Sequence, residues 1–208
     1  MVSKSNRSGQ TRSQAERREH TIKAILDAAR RLFASRGFAA TSIDDMAALA
    51  GVAKGAVYHH FKSKEEIFGR VFEDMTAEIA ARVPSAARAG KDLQDSIGRG
   101  TLKYLTSISS DEFRRVLLID GPAVLGWNRW RQIDAQHFGS MMRVPRELVL
   151  TGRAAREIDA LGHLIAGAVT EAALVCAASD RRTQAARDHT SALLKMLAPF
   201  FTTGQRRK

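Results

Sequence analysis

The chain has 208 residues, including 33 Lys or Arg, 22 Asp or Glu and one cysteine, and its formal net charge is +11. A chain of this length can bury a stable core by itself, and one cysteine excludes a fold held together by internal disulfides. The excess of cations favours a polyanionic partner such as nucleic acid, although the same charge would suit an acidic membrane surface or serve only solubility.

The first 17 residues form a basic segment, in which Lys4, Arg7 and Arg12 precede the first acid, Glu16. This polar composition predicts a disordered arm over residues 1–17. The segment contains no apolar run long enough for a signal peptide or a membrane span. We therefore expect a cytoplasmic protein.

The next segment predicts three helices. Apolar residues spaced by three and four positions predict an amphipathic first helix that stops at Gly37. A second helix begins at Ser42, whose hydroxyl can accept the amide of Asp45 in a capping box, and ends at Gly51. A third helix follows the turn at residues 51–53 and ends at Phe61.

The third helix has an unusual composition. Gly55 inside a helix costs about 1 kcal/mol relative to Ala, and this cost is understandable if the backbone must approach a ligand closely. The adjacent His59 and His60 point about 100° apart, so they cannot share a metal ion as residues four apart can. Two short helices joined by a glycine-containing turn predict a helix-turn-helix, whose second helix enters the major groove of DNA.

The rest of the chain also predicts helices. A second capping box, Ser63 to Glu66, opens a long fourth helix that we expect to end before Pro84. Beyond it, apolar spacing predicts helices near residues 93–108, 113–119, 126–144, 156–178 and 183–200, with a break at Gly121-Pro122. Alternating strand patterns are absent from the sequence, so the predicted fold class is all-α.

A set of short motifs extends from about Thr21 to Met75. They are Ile25-Leu26-Asp27-Ala28-Ala29, Leu32-Phe33, Gly37-Phe38, Thr41-Ser42, Gly51-Val52 and the run from Gly55 to Glu65. In these motifs the chain closely resembles the TetR family of regulators. The resemblance implies an N-terminal three-helix helix-turn-helix DNA-binding domain over residues 18–78. The long fourth helix would join it to an all-helical effector-binding and dimerisation domain over 79–203, followed by a basic tail over 204–208.

The resemblance also implies roles for individual residues. It implies phosphate contacts from Thr41, Tyr58 and Lys64. It implies groove contacts from Lys54, Gly55, Ala56 and one of His59 and His60, with Ser42 beside them at the DNA-binding surface. Tyr58 could instead pack within the small domain, and Lys64 could be merely solvated. Ala53 stands where many relatives have a hydroxyl residue, and the chain departs from the family pattern at this position.

Beyond Leu93 the resemblance is weaker, and rests on the run from Asp120 to Trp127, on Trp130 and on Ile133-Asp134-Ala135. It implies an effector pocket but not an effector. The candidate lining residues are Tyr104, Phe113, Asp120, Trp127, Trp130, His137, Met141 and His163. Aromatic and thioether side chains suit an apolar cavity, with ordinary core packing as the alternative for each. Asp120 could anchor a cationic ligand, cap its helix or pair with a neighbour.

The last two predicted helices carry more apolar surface than one domain needs. Small residues, among them Gly162, Ala166 and Gly167, would let two such helices approach closely. The sequence therefore predicts a homodimer through a four-helix bundle, with an internal core as the alternative. The most hydrophobic stretch, 161–178, contains His163 and Glu171 and predicts a buried helix rather than a membrane span.

The expected function is that of a transcriptional repressor, released from a palindromic operator by a small-molecule effector. The sequence contains no Walker-type loop, nucleophile elbow, closely spaced zinc motif or redox cysteine pair. We therefore expect no enzyme activity, no metal and no cofactor. Two alternatives remain open, an all-α enzyme and a constitutive architectural DNA-binding protein.

Overall fold

The structure is a computed structural model that describes residues 6–138 and 155–201, with side chains over 14–138 and 160–199. Its first helices are α1 (Asn6–Arg36), α2 (Ile43–Ala50), α3 (Lys54–His60), α4 (Lys64–Arg88) and α5 (Leu93–Ile108). A short α6 (Asp111–Phe113) continues into a π-helix (Arg114–Asp120), followed by α7 (Gly121–Phe138), α8 (Ala155–Ala178) and α9 (Arg182–Phe201). No strand occurs within these described ranges, in agreement with the predicted all-α class.

The chain divides into two compact units, Met1–Phe72 and Glu73–Lys208. The division falls inside α4, a few residues before the boundary at residue 78 that the sequence predicted. The predicted basic tail, 204–208, lies outside the described residues.

The N-terminal unit is built around a cluster of aromatic rings. Phe68 of α4 contacts Phe33 of α1 and Phe38 of the loop after it, each at a centroid distance of 5.2 Å. Both pairs have the edge-to-face geometry that aromatic rings favour. Ile25 and Met46, both fully buried, extend the core toward α2, which packs against α1 and α3.

Capping interactions set the ends of α1 and α2 where the sequence predicted them. Gly37 ends α1 with φ 84°, and Gly51 ends α2 with φ 68°. Both values lie in the left-handed region, which glycine enters without steric cost. The capping box between Ser42 and Asp45 is present.

Helix α1 begins earlier than expected. It starts at Asn6, so that residues 6–17 are helical where the sequence predicted a disordered arm, and residues 1–5 lie outside the described part. The segment contains three Arg, two Gln and one Glu, which have high helix propensity, and it contains no proline. Polarity alone therefore misled the prediction, because polar residues with high helix propensity can extend a helix that is anchored further along.

Helix α4 runs through Pro84 to Arg88, so the prediction that it ends before Pro84 is wrong. A proline in a helix interior removes one backbone donor and costs about 3 kcal/mol. The adjacent Val83 is buried, and Ser85 Oγ donates to the carbonyl oxygen of Arg82 at 2.9 Å. Packing of the helix thus outweighs the local penalty.

The predicted break at Gly121-Pro122 is also misplaced. Gly121 has helical torsion angles, and the π-helix runs directly into α7, which contains Pro122. The chain deviates instead at Gly126, which has φ 72° and ψ 158°. The predicted end of this helix, near residue 144, lies outside the described residues.

The C-terminal unit is centred on α5, which packs against α8 and α9 and contacts the π-helix. Its fully or almost fully buried side chains include Leu105, Phe113, Val116, Ile133, Phe138 and Ala173. The prediction that Cys176 is a small buried side chain is confirmed. Burial raises the pKa of its thiol, which favours the unreactive protonated form.

Helix α8 contains a stretch, Ala160–Ala178, that is long and apolar enough to cross a membrane by length and composition alone. About a third of this stretch is buried within the chain. Leu164, 71% accessible, and Leu174 and Val175 are exposed on α8, as is Met196, 63% accessible, on α9. The predicted buried helix is therefore buried on one side only, and its other side presents apolar surface.

The left-handed cap of α2 gives a first prediction. Gly51→Ala should lower the free energy of unfolding by about 1 kcal/mol, because alanine is strained at this φ although its Cβ meets no atom within 4 Å. Gly55→Ala is the matched control, since the added Cβ also enters open space but the backbone is helical. It should leave stability unchanged or raise it by up to about 1 kcal/mol. Urea denaturation followed by circular dichroism measures the free energy of unfolding of both variants. A Gly51→Ala variant as stable as the wild type would contradict the expected backbone strain at this position.

Candidate nucleic-acid interface

Helix α3 is anchored by one face and open on the other. Val57 is fully buried, and Phe61, directly after the helix, is buried as well. The exposed residues of the helix are Lys54, Gly55, Tyr58 and His59. Tyr58 is 51% accessible, so it does not pack within the unit. The open face thus presents an ammonium, a phenol and an imidazole beside a glycine with no side chain.

Lys54 joins α3 to α2 through an exposed ion pair. Its Nζ lies 2.9 Å from Asp44 Oδ1 and donates to Oδ2 at 3.0 Å. The hydrogen bond and the charge of Asp44 raise the pKa of Lys54, so the ammonium stays charged. An ion pair this exposed adds little to stability, because water and salt screen it. Lys54 can therefore exchange Asp44 for another anion at small cost.

The two histidines of α3 have different environments. His59 is exposed, whereas His60 is half-buried, and its Nδ1 is buried without a hydrogen-bond partner in the described part of the chain. Burial lowers the pKa of His60, and the charges of His59 and Arg18 lower it further. The sequence left open which histidine faces outward, and the structure places His59 there.

The Thr41 hydroxyl is not available as the sequence predicted. Thr41 is 1% accessible, and its Oγ1 donates to the carbonyl oxygen of Gly37 at 2.8 Å. A hydroxyl buried and bonded in this way cannot reach a phosphate group without rearrangement of the loop. We therefore do not retain the expected phosphate contact from Thr41. The hydroxyl instead closes the turn between α1 and α2.

The Ser42 side chain serves the cap of α2. Its Oγ accepts the amide of Asp45 at 3.1 Å and donates to Asp45 Oδ2 at 2.6 Å, while the Ser42 amide donates to the same carboxylate oxygen at 2.9 Å. These bonds lower the pKa of Asp45 and keep its carboxylate ionised. Ser42 is nevertheless exposed, and its place in the DNA-binding set stays a prediction.

Lys64, at the start of α4, points back into the unit. Its Nζ donates to the carbonyl oxygens of Phe38 and Thr41, each at 3.0 Å. In the cap beside it, Ser63 Oγ accepts the amide of Glu66, but the Glu66 carboxylate accepts from the amide of Lys62 rather than Ser63. The predicted second capping box is therefore half formed and shifted by one residue. The Lys64 ammonium is not a free surface cation.

Family models match both units of the chain. A model described as bacterial regulatory proteins, tetR family, matches residues 25–71, and one described as tetracyclin repressor-like, C-terminal domain, matches residues 95–200. The second match alone spans just over half of the chain. This chain belongs to the TetR family.

Several similar proteins agree with this membership. The solved structure of a TetR-family transcriptional regulator from Pectobacterium atrosepticum is 30% identical with a TM-score of 0.73, covering 89% of this chain and 96% of that one. The HTH-type transcriptional regulator AcrR of Shigella flexneri is 33% identical over 101 residues, which is 48% of this chain and 47% of that protein. This chain thus spans less than half the length of that relative.

A third similar protein is known with a ligand. The structure of RolR in complex with resorcinol is 19% identical with a TM-score of 0.64, covering 93% of this chain and 97% of that one. At this identity the likeness shows the fold alone.

In this TetR-family chain the predicted effector residues do not form one group. Tyr104, Phe113 and Trp130 are buried, and Tyr104 contacts Phe138 at a ring distance of 5.2 Å. Trp127 is 65% accessible, which argues against it as an enclosed pocket residue.

The other predicted effector residues also differ in burial. His163 is exposed, Asp120 and His137 are half-buried, and Met141 lies outside the described residues. Two cavities described in the C-terminal unit, of about 800 and 430 Å³, are lined by none of these candidates.

The sequence analysis missed Asp134 as a candidate. It lies between Trp130 and Phe138 at intervals of four residues, on the same face of α7. Burial raises the pKa of its carboxyl group, with Arg131 and His137 opposing this effect. Burial of Tyr104 raises the pKa of its phenol, and the charge of Asp134 raises it further. An acid at every-fourth-residue spacing within an apolar helix face was the signal that could have identified it.

The environment of His60 gives a second prediction. Because the folded protein disfavours the protonated ring, the unfolded chain binds more protons as the pH falls through about 6.5. Stability should therefore decrease as the pH is lowered from about 7.5 to about 5.5, within the window between the ordinary and the lowered pKa of His60. His60→Gln should reduce this decrease, and His20→Gln, at an exposed position on α1, should not. Thermal melts across this pH range measure the effect, and identical pH dependence in His60→Gln and wild type would contradict it.

Proposed function

We propose that this TetR-family chain is a sequence-specific DNA-binding transcriptional regulator that places α3 in the major groove of an operator. The observation that carries the proposal is the open face of α3, which Val57 and Phe61 fix against the core. A major groove is wide enough for a helix, and its base edges present donor and acceptor patterns that polar side chains can distinguish. Family membership supports the same use of the helix.

The residues of α3 that we expect at the DNA have three roles. Gly55 and Ala56 bring the backbone close to the DNA, because neither has a side chain that would hold it away. Lys54 and His59 reach base edges, and Tyr58 donates its hydroxyl to a phosphate oxygen. Contacts to base edges carry sequence preference, whereas a phosphate contact positions the protein on any sequence.

The ion pair between Lys54 and Asp44 prepares the lysine for this role. In the free protein Asp44 holds the ammonium near the junction of α2 and α3. On binding, a guanine edge or a phosphate replaces the carboxylate, and the exposed pair is exchanged at little cost.

We propose that the regulator acts as a homodimer through α8 and α9. On α8 the exposed positions Leu164, Gly167, Leu174 and Val175 follow helical spacing, and nothing lies within 4 Å of a Cβ built at Gly167. Met196 adds apolar surface on α9. Burial of these side chains against a second copy removes apolar area from water, which drives association. A dimer also explains why α8 is apolar enough to resemble a membrane span.

We further propose that a small molecule bound in the C-terminal unit releases the regulator from DNA, so that it acts as a repressor. RolR, which shares the fold, is known in complex with resorcinol. The buried Tyr104 and Trp130, with Asp134 beside them, offer an aromatic site with one acid. Such coupling typically amounts to about 1–3 kcal/mol and is reciprocal, so operator DNA must weaken effector binding by the same factor.

Two other functions are less well supported. A constitutive architectural protein would bind DNA without choosing a sequence, and the base-reaching side chains of α3 argue for choice. An enzyme would need a reactive group, and the family matches are to regulators. We propose no catalytic activity, and we place the protein in the cytoplasm with the DNA it binds.

The test of the proposed function begins with selection of bound sites from a random DNA library by the purified full chain. A regulator should enrich a palindrome whose half-sites lie about 34–36 Å apart or a multiple of one helical turn. Its affinity for that site should exceed its affinity for unrelated DNA by at least about 10³-fold. Recovery of unselected sequences with uniform affinity would contradict the proposal.

The phosphate role of Tyr58 gives a third prediction. Tyr58→Phe removes one hydroxyl from an exposed position, and affinity should fall by about tenfold on specific and unrelated DNA alike. The chain has two tyrosines, so Tyr104→Phe in the C-terminal unit is the matched control and should leave DNA affinity unchanged. Fluorescence anisotropy with labelled duplexes measures both variants. Wild-type affinity in Tyr58→Phe would remove Tyr58 from the interface.

The dimer gives a fourth prediction. Leu164→Glu places a charge on the exposed face of α8 and should convert the dimer into a folded monomer, because burial of an unpaired carboxylate is costly. Ile119→Glu, at an exposed apolar position of the π-helix, is the matched control and should leave the dimer intact. Sedimentation at micromolar concentration measures both. A dimer that survives Leu164→Glu would show that subunits associate through a different surface.

A further inference from the structure

The larger of the two cavities in the C-terminal unit is lined by residues from the end of α5, from α6 and from the start of α9. Its volume of about 800 Å³ lies within the range of small-molecule sites. Most such sites are lined mainly by apolar side chains. This lining is instead entirely polar or charged and includes Arg181, Arg182 and Arg187. It therefore suits a ligand that is itself strongly polar.

The hydroxyl groups at the end of α5 already donate their protons within the chain. Thr106 Oγ1, Ser109 Oγ and Ser110 Oγ each donate to a backbone carbonyl oxygen three or four residues earlier. The strongest donors left for a ligand are thus the guanidinium groups. Arginine presents its N–H groups as a planar fork, which matches the paired oxygens of a carboxylate or a phosphate.

Two of these guanidinium groups share one exposed carboxylate. Arg182 Nη1 donates to Asp111 Oδ1 at 2.6 Å, and Arg114 Nη2 lies 3.7 Å from the same oxygen, too far for a hydrogen bond. The side chains of Arg182 and Arg114 are 33% and 32% accessible, whereas that of Asp111 is 81% accessible. The fold therefore holds the two cations, and the anion that they share is exposed and exchangeable at small cost.

Arg114 also has a donor without an acceptor. Its Nε is buried and makes no hydrogen bond in the described part of the chain. A buried donor left in this way costs about 1–3 kcal/mol. Arg114 is the first residue of the π-helix, a rare conformation that occurs frequently at functional sites. The structure thus keeps a guanidinium group with more donors than acceptors beside a carboxylate that lines the cavity.

The charges around the cavity do not balance. Arg181 and Arg187 are exposed, and within the described residues neither side chain has an ion-pair partner. Together with the two arginines on Asp111 they make four guanidinium groups, against the two carboxylates of Asp111 and Asp180. This excess of positive charge attracts an anion, and the cavity gives it several guanidinium partners.

We propose that this cavity binds a small organic anion that carries at least two negative charges on phosphate or carboxylate groups. The anion replaces Asp111 as the partner of Arg182 and Arg114. Arg181 and Arg187 bind its remaining oxygens. This binding requires neither the operator nor the aromatic effector site, so it gives the C-terminal unit a second ligand besides the effector of the proposed function.

Isothermal titration calorimetry of the purified full chain tests this binding, with pyrophosphate and citrate as charged probes and glycerol as the uncharged control. Saturable binding of a charged probe at one site per chain is expected, and the preferred probe distinguishes a phosphate ligand from a carboxylate ligand. Arg181→Gln/Arg187→Gln removes two exposed cations of the cavity and should weaken binding at least about tenfold. Arg88→Gln/Lys91→Gln, which removes two exposed cations before α5, is the matched control and should leave binding unchanged.

Asp111→Asn gives a readout that a purely structural ion pair would not produce. Without the competing carboxylate, the charged probe should bind at least about threefold more tightly. Three results would overturn the proposal. They are the absence of saturable binding of either probe, weaker binding to Asp111→Asn, and equal weakening in the two double variants, which would indicate general attraction to the net charge of +11.

Discussion

The burial of Val57 and Phe61 is the constraint on which the DNA-binding unit depends. A helix of seven residues, such as α3, is not stable in water by itself, so its conformation is imposed by the core against which it packs. With these two side chains inside, Lys54, Gly55, Tyr58 and His59 face outward. The face that we propose reads DNA is therefore defined by two buried residues that lie outside the proposed contacts.

The cations around this helix differ in how firmly they are held. Lys54 pairs with an exposed carboxylate, which contributes little to folding and leaves the ammonium exchangeable. Lys64 binds two part-buried carbonyl oxygens and an aromatic ring, so its displacement would leave polar groups without partners. In sequence both are lysines at the start of a helix. Their environments differ, because Lys54 can exchange its carboxylate for another anion, whereas Lys64 holds the backbone of the loop between α1 and α2.

The sequence predicted the features that local chemistry determines. Gly37 and Gly51 as helix ends, the Ser42–Asp45 cap and the limits of α3 all follow from residues close together in the chain. The environments of Thr41 and Lys64 could not be predicted in this way. Each depends on where a loop directs its carbonyl groups, and for Lys64 the partners are more than twenty residues away.

Two other errors have physical causes as well. Pro84 was expected to end a helix because local penalties were not weighed against burial. Gly121-Pro122 was expected to break one, although the π-helix continues directly into α7 at these residues. Asp134 was overlooked although its spacing from Trp130 and Phe138 was visible in the sequence. The central claim remains that α3 reads base edges in the major groove. Methylation interference on a selected operator tests this most directly, because dimethyl sulfate modifies guanine N7 in the major groove and adenine N3 in the minor groove. We predict interference at guanine N7 in two symmetric half-sites, whereas interference confined to adenine N3 would contradict the account.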